Sequence, residues 1–383
     1  MEEFRIDIPQ PDVDDLRRRL AATRWPGELA SVGWDRGVPL AYLQELTDYW
    51  ATTFDWRAAE ARLNQMPQFR TEIDGAMIHF VHVRSPEPDA VPLILTHGWP
   101  GSFAEFTEIV GPLTDPRAHG GDPADACHVV IPSLPGYGFS SLPDTGWDVV
   151  RIASAWSELM RRLGYDRYVA QGGDAGSVIS QALGVIDPTH CAGVHVNMLM
   201  TFPSGDPADL DGLSERDMAR LGRLREFDEH LSGYMKIQQT RPQTLAYALT
   251  DSPVGQLAWI VEKFREWTDS EKVPEDAVSR DDILTLVSLY WFTATAGPSA
   301  QFYYEGAAAV KAAAAGAAPP PITVPVGVAV FPKDIFLPVR RFAEAHIPTI
   351  ARWTEFDQGG HFAALEQPGP LVDDVREFVR LVR

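Results

Sequence analysis

The sequence predicts an α/β fold, a mostly parallel sheet with helices on both faces, and three observations carry that expectation. From Ile73 onward, short β-rich runs alternate with helix-compatible stretches, the pattern of a parallel sheet. A long helical segment, 200–304, interrupts the alternation without a clear strand, and strand-like runs resume before a last amphipathic helix. The residues ahead of Ile73 read as helices. The chain of 383 residues thus divides into an N-terminal helical extension (1–72), a sheet core (73–199 and 305–383) and a helical lid inserted between the core pieces (200–304). With 45% hydrophobic residues, a chain of this length buries one large core plus a smaller accessory unit.

In the extension, "PDVDDLRRRLAATRW" sets Val13, Leu16 and Leu20 on one helical face, and "AYLQELTDYWATTFDW" does the same with Leu43, Leu46, Trp50 and Phe54. It holds no catalytic motif; its expected role is to wrap the core and brace the lid, with a homodimer contact as the other use. "MIHFVHV", "VPLILTH" and "CHVVIPSLPGYGFS" then read as β-rich. Next, Val149, Ile152, Ala153, Trp156, Met160 and Leu163 share one helical stripe, Gly164 closes that helix, and "RYVAQ" reads as a buried strand. "DMARLGRLREF", "QLAWIVEKFREW" and "DILTLVSLYWF" make up the lid. "EGAAAVKAAAAGAAPPPI" reads as a surface helix with a proline stop and a linker. "TVPVGVAVF" and "RWTEFD" return to the sheet, and Pro370 opens a last helix with Val375, Phe378, Val379 and Val382 inward.

A net charge of −20 repels nucleic-acid phosphates and anionic membranes, so neither is an expected partner. "MEEFRIDIPQ" has no apolar run and no apolar stretch of about 18 residues follows, which predicts a soluble cytoplasmic protein without a membrane anchor. Cys127 and Cys191 are too few and too far apart for a disulfide framework or metal knuckle and read as two buried thiols. His79 and His82 lie three apart on a strand, face opposite sides and are no metal pair. No metal or cofactor is expected. Five lysines among 33 basic residues, with abundant alanine, suit a GC-rich bacterial genome.

The chemistry concentrates in "VAQGGDAGS". Gly172-Gly173-Asp174-Ala175-Gly176 lies between a β-rich run and the helix-compatible "SVISQALGVI", the strand–turn–helix setting of a nucleophile elbow. A phosphate cradle has no use for a carboxylate aimed at the anion. A serine esterase needs a hydroxyl at the centre, whereas Ser177 sits three residues on, inside the helix. "HGWPGS" follows the strand "LILT" and places the Trp99 N–H as one oxyanion donor, with the Ala175 N–H as the other; His97 and Pro100 shape that loop. "FDQGGHFAALEQP" sets His361 on a glycine-flanked loop able to reach the elbow, and the order nucleophile, acid, histidine points to Asp334 at the end of "VPVGVAVFPKD". Asp357 and Glu355 lie nearer to His361 in sequence but flank rather than end that strand.

On "HGWPGSFAEF", "PSLPGYGFS", "QGGDAGS", "GYMKIQ", "DSPVGQLAWIVEKF", "QFYYE", "FPKD" and "GGHFAALEQP", together with the helical region ahead of the core, nearly the whole chain resembles the microsomal-type epoxide hydrolase family of the α/β-hydrolase fold. The resemblance implies Asp174 as nucleophile, Asp334 as charge-relay acid and His361 as base. It also implies two lid tyrosines as proton donors to the epoxide oxygen, Tyr234 and Tyr303, with Tyr304 the neighbouring alternative. Trp99, Pro100 and Ala175 would line the substrate pocket. Family members commonly carry tryptophan after the nucleophile; here Ala175 keeps the N–H donor and changes the pocket wall.

The implied reaction joins a small-molecule epoxide and water to give a vicinal diol through an aspartyl ester. A carboxylate with an ordinary pKa of about 4 is ionised at neutral pH, and a phenol at about 10 keeps its proton until the alkoxide forms. A serine would form an ether, which resists hydrolysis; an aspartyl ester is open to water activated by neutral His361. Haloalkane dehalogenases share the ester route but often hold halide with a tryptophan next to the nucleophile, which Ala175 removes. A non-catalytic binding protein on the same fold is the alternative from another class. Both secondary metabolism and detoxification suit such a reaction.

Overall fold

The computed structural model describes residues 1–314 and 320–383. Nine strands, β1 (Glu2–Phe4), β2 (Gln68–Ile73), β3 (Ala76–Val83), β4 (Val91–Thr96), β5 (Cys127–Pro132), β6 (Tyr168–Gly172), β7 (Cys191–Asn197), β8 (Val326–Val330) and β9 (Ile350–Glu355), form one sheet in the order β1-β2-β3-β5-β4-β6-β7-β8-β9. From β5 through β4 to β9 all pairings are parallel; β1, β2 and β3 add an antiparallel edge. Leu93, Ile94 and Leu95 in β4 and Val169 and Ala170 in β6 are fully buried, as strands covered by helices on both faces must be.

The sheet begins earlier than the periodicity suggests. β2 precedes Ile73, and Asp74 and Gly75, both at positive φ, form the tight connection that turns it into β3. β1 pairs Glu2 with Arg70, so the extension contributes strands as well as helices. Three residues reading Glu-Glu-Phe carry no alternation, and their partner strand lies more than sixty positions away. Val13, Leu16, Leu20, Leu43, Leu46, Trp50 and Phe54 are buried as expected, although Phe54 lies just past the helix Leu40–Thr52. That helix and Trp56–Leu63 pack on the lid: Trp50 Nε1 donates to Ser288 Oγ at 3.0 Å, Tyr49 hydrogen-bonds Asp281, and Arg62 pairs with Asp282 at 2.6 Å.

The lid is helical among the described residues. It runs through Glu215–Glu226, a single π-turn at Phe227–Leu231, Gly233–Thr240, Pro242–Asp251, Pro253–Trp267, Arg280–Phe292 and Gln301–Ala314. The last of these joins "QFYYE" to the alanine-rich run without a break, so 304 lies inside a helix. The linker expected after it falls partly at 315–319, outside the described residues. Helix Val149–Arg162 buries Ile152, Ala153, Trp156 and Met160, and the closing helix Pro368–Val382 buries Val375, Phe378, Val379 and Val382. Cys127 and Cys191 are buried free thiols. No helix of the described residues is long and apolar enough to cross a membrane.

Candidate active site

β6 ends at Gly172 and the helix Ala175–Ile186 starts at Ala175, so the chain reverses through Gly173 and Asp174 alone. Asp174 takes φ 50° and ψ −126°, a conformation disfavoured for any residue with a side chain. Sharpness requires close backbone contact: a Cβ at Gly176 would overlap the Thr96 carbonyl oxygen at the end of β4. Ser177 lies inside the helix and donates to the Met198 carbonyl, which leaves Asp174 as the head of the elbow.

The loop after β4 closes on that carboxylate. The Trp99 N–H donates to Asp174 Oδ1 at 2.9 Å, and the Ala175 N–H favours the ionised form of the same side chain. Gly98 is needed here, because a Cβ would overlap Asp174 Oδ1. His97 braces the loop from behind: its Nδ1 pairs with the Gly98 carbonyl at 3.0 Å while Nε2 accepts the Leu134 N–H at 3.2 Å. Leu134 belongs to "PSLPGYGFS", so two motifs distant in sequence support one carboxylate. Pro100, after a cis Trp99–Pro100 peptide, is buried.

His361 reaches the opposite side. Its Nε2 stands 3.6 Å from Asp174 Oδ2 and its Nδ1 is 2.7 Å from Asp334 Oδ1. Asp334 follows β8 and also accepts the Ile335 N–H at 2.7 Å, which fixes the carboxylate toward the ring. Glu355 is engaged elsewhere, by Arg216, Arg220 and Trp353. The His361 N–H donates to the Trp267 carbonyl at 2.8 Å, and the Gly359 N–H to Asp269, so the histidine loop is tied to the lid.

Tyr234 and Tyr303 come together above Trp99. Tyr234 stacks on the Trp99 ring at 5.1 Å and 12°, and Tyr303 meets both rings edge-on at 6.0 Å. Tyr304 is 53% exposed and points away, which separates it from Tyr303. Ala175 is buried at the start of its helix. His79 bonds Ser133 and Gln68 while His82 bonds Tyr165, and the described residues hold no cluster of metal-ligating side chains.

Electrostatics set the protonation states. Burial pushes the Asp174 carboxyl up from its ordinary value, opposed by His361 and by the Trp99 and Ala175 N–H groups. Burial disfavours the charged imidazole of His361, but Asp334, Asp174 and Glu105 outweigh it and raise that group to about 9. The neighbouring carboxylates therefore favour the imidazolium form of His361. Burial first, and neighbouring charge after it, push the Tyr234 and Tyr303 phenols well above their ordinary value, so both stay protonated and each keeps an O–H to donate.

Three neighbours escaped the sequence reading. Glu105, inside the quoted "HGWPGSFAEF", is a half-buried carboxylate whose Oε2 lies against Gly101. Lys263 is 2% exposed, paired with Glu262 and Glu266, and its Nζ lies 4.8 Å from the Tyr234 ring centre and 5.7 Å from that of Trp267. Trp267 in turn lies edge-on to His361 at 5.1 Å. A charge in an otherwise apolar helical face, "QLAWIVEKF", was the available signal for Lys263.

Comparison with known proteins gives the family. Residues 1–106 match the family described as epoxide hydrolase N terminus, and residues 91–229 match that of the alpha/beta hydrolase fold. A chain named as a candidate epoxide hydrolase in Stigmatella aurantiaca is 49% identical over 99% of this chain and 85% of its own length. Epoxide hydrolase 1 of Sus scrofa is 37% identical over 99% of this chain and 88% of its own. The solved structure of Aspergillus niger epoxide hydrolase superposes with a TM-score of 0.88 at 34% identity, covering 100% of this chain and 96% of that one. These relatives decide among the readings that an aspartate elbow alone leaves open, in favour of a hydrolase acting on epoxides. The chain belongs to the epoxide hydrolase family, on the α/β-hydrolase fold.

Proposed function

We propose that the chain converts an epoxide to a vicinal diol in two half-reactions carried by Asp174, His361, Asp334, Tyr234 and Tyr303. The observation that carries this reading is the way Asp174 is held, with Oδ1 on the Trp99 N–H at 2.9 Å and Oδ2 turned toward His361. In the first half-reaction a carboxylate oxygen attacks a ring carbon as the C–O bond breaks. The departing oxygen takes a proton from the protonated phenols, which hydrogen-bond it throughout.

Ester formation removes the Asp174 charge, which together with Asp334 favours the protonated His361. The imidazole then loses its proton more readily, to the phenolate left by the first half-reaction, and becomes the base for water. Water gives a proton to His361 as its oxygen bonds to the ester carbon, and the tetrahedral oxyanion forms on the oxygen held by the Trp99 N–H, with the Ala175 N–H as second donor. Its collapse breaks the ester C–O bond as the diol oxygen takes the proton from His361, and the Asp174 carboxyl returns its own proton to the imidazole. Asp334 orients the ring and stabilises the imidazolium. Ala175 leaves the pocket wall beside the nucleophile open where relatives with tryptophan would fill it, which favours substrates with bulk on that side.

A single turnover in heavy-oxygen water tests the route. The label should enter the Asp174 carboxylate, with unlabelled diol released; label in the first-turnover diol instead would reject the ester.

A further inference from the structure

Glu366 is a half-buried carboxylate to which the two half-reactions assign no task, yet both of its oxygens are engaged. It ends the short helical turn Ala363–Glu366, which begins two residues after His361. Oε1 accepts the Phe362 N–H at 3.0 Å and Oε2 accepts the Asp269 N–H at 2.8 Å. Phe362 directly follows the base, and Asp269 lies two residues past the lid helix Pro253–Trp267, so one side chain bridges the histidine loop and the lid. Three further contacts cross the same gap. The His361 N–H donates to the Trp267 carbonyl at 2.8 Å, the Gly359 N–H donates to Asp269 Oδ2 at 3.0 Å, and the Phe362 ring stacks on Phe264 at 4.3 Å and 7°. Gly360 permits the approach, since a Cβ there would overlap the Trp267 carbonyl oxygen and meet Glu366 Oε1 at 3.1 Å.

Resting on the ester route above, we propose that Glu366 is a positioning residue for the second half-reaction: its two oxygens clasp the histidine loop to the lid and set where His361 stands against the ester. Asp334 fixes the imidazole through Nδ1 at 2.7 Å, and the backbone that carries the ring is fixed by the lid. A carboxylate that accepts one N–H on each oxygen sets the separation of the two segments, and bonds to a charged acceptor are about twice as strong as neutral ones. The base must stand within hydrogen-bond reach of the water it deprotonates, and a misplacement of about 1 Å can cost about 10²-fold in rate.

The clasp bears on one half-reaction more than the other. Asp174 is placed by its elbow and by the Trp99 N–H, and Tyr234 by its stack on the Trp99 ring, so the groups that open the epoxide are held without Glu366. His361 is the group whose backbone neighbours hang on it. Trp267 shows how close the two sides must run: its ring lies edge-on to His361 at 5.1 Å and 5.3 Å from the Tyr234 ring. Burial raises the Glu366 carboxyl to about 7, with the Asp269 and Phe362 N–H groups opposing, so above that value both oxygens are free to accept.

The test compares the full chain with Glu366→Gln and Asp269→Ala in buffer more alkaline than the Glu366 value, using styrene oxide as probe and intact-mass rapid quench to follow formation and decay of the adduct. Glutamine keeps the length of the side chain but turns an NH2 toward one of the two N–H groups. In Glu366→Gln, decay should slow by about tenfold while formation stays within about twofold, so the ratio of formation to decay rises by about fivefold or more. The far-downfield NMR line of the proton between His361 Nδ1 and Asp334 should move as the loop shifts. Asp269→Ala loosens the same clasp from the lid side and should move both readouts in the same direction; it decides the case by the same criteria if the glutamine variant does not fold. A smaller rise in the ratio overturns the inference, including the equal slowing of both steps that a merely structural lesion would give, and so does an unmoved NMR line. If the parent chain makes diol without any adduct, the ester route itself fails and the inference falls with it.

Discussion

His361 Nε2 stands 3.6 Å from Asp174 Oδ2, an ion-pair distance longer than a hydrogen bond. The spacing lets the imidazolium stabilise the carboxylate without capping the oxygen that must attack. It also makes the two protonation states interdependent. His361 sits near 9 partly because Asp174 is charged, so replacing that charge should lower it. In Asp174→Asn, NMR titration of the His361 ring should give a pKa below that of the parent. The sign is fixed, since a lost negative neighbour destabilises the imidazolium. An unchanged or higher value would mean that Asp174 does not set the state of the base.

The second prediction separates the half-reactions. His361 touches neither the epoxide oxygen nor its proton in the proposed route, so His361→Gln should still form the ester and then stall. Intact-mass measurement after mixing with an epoxide should find the adduct accumulated on the variant. Diol production should fall by roughly 10²–10⁴, the contribution of a positioned general base. Loss of activity without a retained adduct would place His361 before the ester instead.

Two phenols share the departing oxygen, and their edge-on contact above Trp99 makes them unequal to two independent donors. Tyr234→Phe or Tyr303→Phe should each slow adduct formation, with about 3–4 kcal/mol as the ceiling for one lost donor in a dry site. The remaining tyrosine should keep each single variant measurable. The double variant should lose adduct formation far beyond either, with ester decay unaltered for any adduct formed. A double variant of full rate would remove both tyrosines from the mechanism.

What the sequence made legible follows from how local each feature is. The elbow, the "HGWPGS" loop and the histidine loop are short segments whose glycines, prolines and chain order carry their geometry, so Asp174, Trp99, Asp334 and His361 could be named from spacing and found together. Tyr303 and Tyr234 needed the family resemblance, because nothing local separates them from eight other tyrosines in the chain. β1 was hidden by its brevity. The bracing of the lid by the extension rests on contacts such as Trp50 to Ser288, 238 positions apart, which no periodicity can reveal. Glu105 was missed because its place depends on where the loop folds it, against Gly101, and not on any residue next to it in sequence.

The last prediction concerns what the elbow costs the fold. Asp174 is held at φ 50° and ψ −126°, where a Cβ is strained and glycine is not. Asp174→Ala and Asp174→Gly both remove the carboxylate, its desolvation and its bond to Trp99, so the two variants differ in little besides the Cβ. Strain at such a position costs about 1–3 kcal/mol. The extra freedom of glycine in the unfolded chain takes back about 0.4–1 kcal/mol. Glycine should therefore be the more stable of the pair, by about 1 kcal/mol, in reversible urea unfolding followed by fluorescence. The sign is the reverse of that in an ordinary helix or strand, where alanine is favoured. An alanine variant as stable as the glycine one would show that the turn relaxes once the carboxylate is gone, and that the strain belongs to the side chain's anchoring between Trp99 and His361 and not to the backbone of the elbow.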